Sequence, residues 1–482
     1  MTTAAQQWGV LCLGAVLVVA CAPERSDTII EGQILLFVST DAPLPAAPGA
    51  TVDPEGPAPL FDTLRIETFK PGDTTPCNGC VRDFALNTRL VLDGQVSIGI
   101  IPAVNREGYR VRLRLFRSIN VSQGEPFATS TIESVVDLPP ISSEGVVEAG
   151  VFLGVDDVGR RRGSLEEPLP ALRGRPDFDS AGTWPGAQRK PCSAQPRPDE
   201  VCVPGGAFWM GNPDTPVQGD GTEDPMPRLV VLSPFLMSRN EVSVAAFRAA
   251  GLAELAPSGD VSGDPQPAPS ESTSSEAAPN ELADLFAFCD YVARSDEVQD
   301  RLPVNCISWA KARSYCVEQG GDLPSEAQFE YVASGLESRR YVWGDDEPAC
   351  SDAVWGRGGV GAFANANATC RPSGDAGGPL ESGRGERDYL RIDGEEINDL
   401  VGNLNEWMLD QWNSVSEPCW YERPLLRDPV CATPSAVDAD WRAIHGGAWP
   451  NPIRLLGAAN RFGRPALEKR PQTGFRCARP AG

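Results

Sequence analysis

Fourteen cysteines against a single histidine constrain this chain more than any other feature of its 482 residues. With His445 alone, no multi-histidine zinc or iron site can form, and no second imidazole can act as a base elsewhere. Cysteines in this number act as metal thiolates or as disulfides, and the compartment decides which. The 66 Asp and Glu against 42 Lys and Arg give a net charge of −24, which repels phosphate backbones and excludes nucleic acid as a partner. The length predicts two or three domains, and 41% hydrophobic residues suffice for real cores.

The N-terminus assigns the compartment. Trp8 to Ala20 is an apolar stretch too short to span a bilayer comfortably, the size of a signal-peptide core. It ends Leu17-Val-Val-Ala20-Cys21, which resembles a bacterial lipobox. Residues 1–20 then form a lipoprotein signal peptide, and Cys21 carries the lipid. Met1 to Gln7 lacks the usual Lys or Arg, and an ordinary cleaved secretory signal is the alternative. Either reading takes the protein out of the cytoplasm, and the lipid-anchored one places it in the cell envelope. A lipid anchor would make a membrane its partner, and Ala22 favours the outer membrane or cell surface over the inner membrane. Setting aside Cys12 and Cys21 leaves twelve cysteines, an even number that predicts a disulfide framework of up to six bridges.

Residues 27–158 predict an all-β sandwich with antiparallel strands and no helix. Ile30 to Thr40, Leu64 to Phe69, Val96 to Ile101 and Thr131 to Val136 read as strands. In Tyr109 to Phe116 the apolar Tyr109, Val111, Leu113 and Leu115 alternate with three arginines. Cys77 and Cys80 sit in a Pro/Gly/Thr loop, where a local disulfide fits better than a redox motif, which wants a helix N-terminus. Seven prolines between Arg160 and Pro198 make 159–190 a linker to a second domain, 191–482. Residues 251–280, with no aromatic, Lys or Arg, read as a disordered insertion within it.

The second domain carries a series of motifs: Val203-Pro-Gly-Gly-Ala-Phe-Trp-Met-Gly211, Asn240-Glu-Val-Ser-Val-Ala-Ala-Phe247, Leu302-Pro-Val-Asn-Cys-Ile-Ser-Trp309 and Leu323-Pro-Ser-Glu-Ala-Gln-Phe-Glu-Tyr331. Asp399-Leu-Val-Gly-Asn-Leu-Asn-Glu-Trp407, His445-Gly-Gly-Ala-Trp449 and Gly474-Phe-Arg-Cys477 follow in order. The string resembles the formylglycine-generating enzyme (sulfatase-modifying factor) family. The resemblance implies a C-terminal α+β, variant C-type-lectin-like fold beside the N-terminal sandwich. It pairs Cys316 with Cys477; distance along the chain adds Cys192–Cys202, Cys289–Cys306, Cys350–Cys370 and Cys419–Cys431. Ser325 and Gln328 fit a capping box, while Glu326 and Glu330 read as a charged helix face.

The family's enzymes oxidise a substrate cysteine with O₂ and a Cu(I) held by two thiolates that follow the Gly-Gly motif within about ten residues. Here Gly446 to Arg461 contains no cysteine, so no copper is expected and no catalytic residue is assigned. His445 replaces the family's usual Arg and reads as a structural imidazole. The resemblance implies Ca²⁺ at Asp399, Gly402 and Leu404 through carbonyls and at Glu406 through its carboxylate. Trp449, Asn451, Arg454 and Arg461 are the candidate lining of a ligand cleft. These observations predict a lipid-anchored binding or scaffolding module for a protein or glycan ligand. The alternative is a divergent metal-dependent oxidoreductase of the same superfamily acting on exported proteins, and a third reading is an envelope structural component with no small ligand.

Overall fold

In the computed structural model, described residues run from 32 to 482, except 52, 54, 103–105, 213–225, 253–286 and 437. The signal segment, Cys21 and nearly all of the 251–280 insertion therefore lie outside the described residues.

The N-terminal region forms two sheets over one apolar core. Its strands are β1 (Gln33–Thr40), β2 (Thr63–Phe69), β3 (Val81–Ala85), β4 (Ser97–Ile100), β5 (Arg110–Phe116), β6 (Ile132–Asp137) and β7 (Val146–Leu153). Three two-residue strands follow: β8 (Arg161–Arg162), β9 (Leu169–Pro170) and β10 (Leu172–Arg173). One sheet has the order β10-β7-β1-β4. The other runs β8-β6-β5-β2-β3, with β9 also on β6. Alternation sets the faces: Val111, Leu113 and Leu115 are fully buried, and Arg112 on the opposite face pairs with Glu67 of β2 at 2.5 Å.

Three expectations for this region are corrected. The sheets are mixed, because β1 and β7 pair in parallel over their whole length, Gln33 opposite Val146 to Thr40 opposite Leu153. A short helix, α1 (Thr88–Leu92), is present, started by Asn87, whose side chain accepts from Leu90 N. Residues 159–190 are no linker. They supply β8, β9 and β10 to both sheets and bury Trp184, whose Nε1 donates to Asp156 at 3.0 Å. The prolines are tolerated because Pro170 sits on a two-residue edge strand, where a missing N–H interrupts little of the ladder.

The second domain is built from small sheets and loops. Its labelled strands are β11 (Glu200–Val203), β12 (Gly206–Met210), β13 (Arg228–Leu232), β14 (Phe235–Ser238), β15 (Asn405–Gln411), β16 (Leu425–Arg427), β17 (Trp441–His445), β18 (Arg461–Pro465), β19 (Thr473–Gly474) and β20 (Ala478–Pro480). They form the sheets β11-β14-β20, β12-β13-β16 and β18-β17-β15-β19. Helices α2 (Val244–Ala249), α3 (Trp309–Glu318) and α4 (Glu326–Ala333) pack around them. The capping box of α4 is complete, Ser325 Oγ accepting from Gln328 N and Gln328 Oε1 from Ser325 N.

The two regions share a core. Ala207, Trp209 and Leu229 of β12 and β13 join the apolar cluster of the N-terminal sheets. Trp209 meets Phe61 edge-on at 5.5 Å, and its Nε1 donates to Leu60 O at 2.6 Å. All twelve described cysteines are in disulfides: Cys77–Cys80, Cys192–Cys202, Cys289–Cys306, Cys316–Cys477, Cys350–Cys370 and Cys419–Cys431. Bridges closing loops of ten to twenty residues contribute about 3 kcal/mol each in the chain-entropy model, and Cys316–Cys477 closes the longest loop.

Candidate functional site

Strands β15, β17 and β18 set Glu406, His445 and Arg461 in one row, since Glu406 lies opposite His445 and His445 opposite Arg461. The N-terminus of α4 lies against this row and brings Glu326 to it. His445 Nε2 is 2.8 Å from Glu326 Oε2, and Arg461 donates to both Glu326 oxygens at 2.7 and 2.8 Å. The Glu326 backbone N–H donates to Asp410 Oδ2 at 2.9 Å, and Asp410 Oδ1 accepts from Cys431 N.

Glu326 and Glu330 are therefore not an exposed helix face, because both are buried. Burial alone would raise the Glu326 pKa, but the Arg461 and His445 partners outweigh it and hold the group at about 2. Glu330 accepts from Gly211 N at 2.6 Å and is raised by its burial. Asp410 is pushed up to about 8, by burial first and then by the neighbouring Glu326 charge. His445 is fully buried, with Nε2 engaged and Nδ1 without a partner. Sequence reasoning missed this network because His445 and Arg461 lie 119 and 135 positions from Glu326, beyond the reach of any local pattern.

A second buried cluster surrounds the loop 399–406. Asp388 organises it, its carboxylate accepting from the amides of Leu400, Val401 and Gly402 at 2.9, 3.0 and 2.9 Å. Gly402 has no room for a Cβ, which would come within 2.9 Å of Val354 N. Asp399 adopts a left-handed φ of 55°, a conformation that Asp and Asn tolerate. Arg476, fully buried, donates to both Glu406 oxygens and to the Asp399 carbonyl. Glu241 accepts from Leu404 N at 3.0 Å and from Asn403 Nδ2 at 2.7 Å. Burial raises the carboxyls of Glu241 and Glu406, and it pushes Asp388 up to about 6 and Asp399 up to about 7.

For Ca²⁺ the donor set fits in part. Four buried carboxylates face one guanidinium, and Asp399 Oδ1 is buried without a partner, both suited to a hard cation. Two of the four implied ligands, the Asp399 carbonyl and the Glu406 carboxylate, already accept from Arg476. Among the described residues, no group of three or more His, Cys, Asp or Glu converges as a metal site.

For Cu(I) the donor set does not fit. The segment 446–461 holds Trp449 fully buried between Phe288 and Phe363, at 5.3 and 4.6 Å, and buries Leu455 and Leu456. Gly447 is pressed against Leu456, since a Cβ there would meet its Cδ2 at 2.5 Å. No free thiol is present among the described residues.

The four candidate cleft residues do not come together. Trp449 is core and Arg461 is spent on Glu326, so the expected joint lining is corrected. Asn451 and Arg454 do line a cleft of about 500 Å³, together with Phe363, Asn365, Asn367 and Gln472, which the sequence did not single out. A larger cleft of about 840 Å³ lies between β11, α2 and the Cys316–Cys477 bridge.

Residues 187–481 match the family model described as a sulfatase-modifying factor enzyme 1-like domain. The chain belongs to the formylglycine-generating enzyme family. It is 28% identical over 195 residues to the inactive C-alpha-formylglycine-generating enzyme 2 of Bos taurus, covering 37% of this chain and 51% of that protein. To the formylglycine-generating enzyme of Thermomonospora curvata it is 29% identical over 311 residues, covering 58% of this chain and 92% of that one. The chain thus spans about half the length of the bovine protein and nearly all of the bacterial one. Among solved structures, PvdO from Pseudomonas aeruginosa is similar with a TM-score of 0.40 and 20% identity, covering 60% of this chain and 99% of PvdO.

Proposed function

We propose that this protein is a lipid-anchored, extracytoplasmic member of the family whose formylglycine-generating-type domain is a non-catalytic binding or scaffolding module on a C-type-lectin-like scaffold. One observation carries the reading: the segment where the family's thiolate pair belongs supplies Trp449, Asn451 and buried leucines, and every described cysteine is in a disulfide. An oxidised cysteine cannot ligate Cu(I), and no other side chain replaces a thiolate pair for that ion. The likeness to a relative named as inactive supports the same reading. Among the described residues no helix is long and apolar enough to cross a membrane, and in this proposal the lipid on Cys21 is the anchor.

The test is turnover. Copper-loaded protein and an active family member are given a Cys-x-Pro-x-Arg peptide, and O₂ consumption and peptide mass are followed. No formylglycine product is expected from this chain; turnover would overturn the reading. Mass spectrometry of the exported protein should show an acylated Cys21, and a free N-terminus elsewhere without acyl mass would remove the anchor. Ca²⁺ is part of the proposal because the buried carboxylates outnumber Arg476 and Asp399 Oδ1 has no partner. Glu406→Gln should lower the thermal midpoint in Ca²⁺ more than in chelator, since ligand binding adds stability only to the form that binds. Equal losses in both would make Glu406 solely the partner of Arg476.

A further inference from the structure

The cleft at Asn451 and Arg454 differs from the larger one in how its polar groups are used. In the 840 Å³ cleft the arginines are spent on carboxylates: Arg197 and Arg479 on Glu200, Arg239 on Glu395, Arg301 on Glu381. The 500 Å³ cleft is lined by no carboxylate, and its one cation, Arg454, is exposed and makes no ion pair or hydrogen bond with the described residues. Asn365 is likewise exposed, and Asn451 uses only its Oδ1, which accepts from Ala448 N at 2.8 Å, so its Nδ2 is available. Gln472 Oε1 is buried and has no partner. The apolar wall is Phe363, held rigid by Trp449 at 4.6 Å and Phe288 at 5.4 Å.

We propose that this cleft binds a saccharide carrying a carboxylate, of the uronate type. The inference rests on the binding-module reading above and names its ligand class. Unsatisfied amides donate and accept, as sugar hydroxyls do, and an aromatic ring offers a flat apolar face for the sugar's C–H face. One guanidinium with its planar fork matches one carboxylate, whereas a phosphate dianion calls for more cations than this cleft holds. The volume lies within the range of small-ligand sites, roughly 300–1,000 Å³. The walls are the short helical turns Gly361–Phe363 and Ile453–Leu455 with their flanking loops, so no strand edge is offered to an extended peptide. A net charge of −24 disfavours dense polyanions and leaves a discrete acidic sugar.

Calorimetric titration of the purified chain with trigalacturonate tests this, beside its methyl ester and a tripeptide with a free C-terminal carboxylate. Trigalacturonate should bind. Esterification and Arg454→Ala should each weaken it by about tenfold, the scale of one charge-assisted hydrogen-bond pair. Gln472→Ala should weaken trigalacturonate and its ester alike. Arg454→Ala should leave the thermal midpoint unchanged, because the exposed side chain makes no ion pair or hydrogen bond with the described residues, and a lost titration with an intact fold is then a lost ligand contact. Absence of binding, equal binding of acid and ester, or binding of the tripeptide instead would overturn the proposal. Formylglycine production in the turnover assay would sink the module reading while leaving these affinities unaltered, so the two failures are told apart.

Discussion

The N-terminal sheets and the second domain bury different things. In the first, apolar residues from Ile34 to Val158 fill the interior, and the few buried charges, Glu67 and Arg114, pair with each other across β2 and β5 on the sheet face away from that core. In the second, Glu241, Glu326, Asp388, Asp399, Glu406, Asp410 and Arg476 are all removed from water. The difference is one of architecture. A two-sheet core follows alternation and needs only apolar side chains, whereas a domain of short sheets and loops leaves backbone amides inside that carboxylates must satisfy. Asp388 shows this directly, accepting three consecutive loop amides.

If buried charge holds the second domain together, its removal should cost far more there than at the surface of the first. Arg476→Met should have the largest effect, about 5 kcal/mol in denaturant unfolding, because Glu406 is left buried and unpaired. A cost under about 1 kcal/mol would mean that protons already neutralise the cluster. Trp209→Ala should cost about 4 kcal/mol through the cavity it opens. It also cuts the apolar tie between the regions, so a single calorimetric transition should split in two. A transition that stays single would locate the coupling elsewhere, at contacts such as Arg117 with Ser338 O.

The same contrast decides what could be read from the chain. Alternation in Tyr109 to Phe116 showed which way each side chain points, since a strand's period is independent of what lies beyond it. The capping box of Ser325 and Gln328 and the local disulfide pairs were legible for the same reason, each being a short-range device. Glu326 was not. Its neighbours His445 and Arg461 lie 119 and 135 positions away, and nothing local tells a buried carboxylate from a solvated one. Residues 159–190 misled because proline content marks edges as readily as linkers, and β8 to β10 are edges. Arg461 and Arg454, seven positions apart, looked alike, yet one is an internal ion-pair partner and the other a free guanidinium on a cleft wall.

Acid and base should expose the two kinds of carboxylate in the second domain with opposite signs. Glu326 is depressed to about 2 from 4.5, so its contribution is present above pH 4.5 and is lost as pH falls through 2. Asp410, at about 8, and Asp290, at about 7, are raised by burial from 3.8. They bind protons in the folded state that the unfolded chain has released, so stability is greatest below pH 3.8 for these groups and declines as pH rises through 7 and 8. The thermal midpoint should therefore fall from pH 5 to 8, and Asp410→Asn should flatten that fall. A midpoint that climbs over this interval would show that Asp410 is ionised in the folded protein.

The smallest effect belongs to the surface of the N-terminal region, and it calibrates the rest. Arg89 and Asp93 pair at 3.3 Å across one turn of α1, with Arg89 77% exposed and Asp93 42%. Water screens such a pair, and holding two long side chains in register costs entropy, so a double-mutant cycle with Arg89→Ala and Asp93→Ala should give a coupling of about 0.3–0.5 kcal/mol. That coupling should vanish in molar salt, where the screening length drops to about 3 Å. The chemistry matches that of Arg476 and Glu406, a guanidinium on a carboxylate, and only the surroundings differ. A coupling above about 1 kcal/mol that survives salt would show that α1 is less exposed to water than its surface position implies, and the contrast between the two regions would then be one of degree.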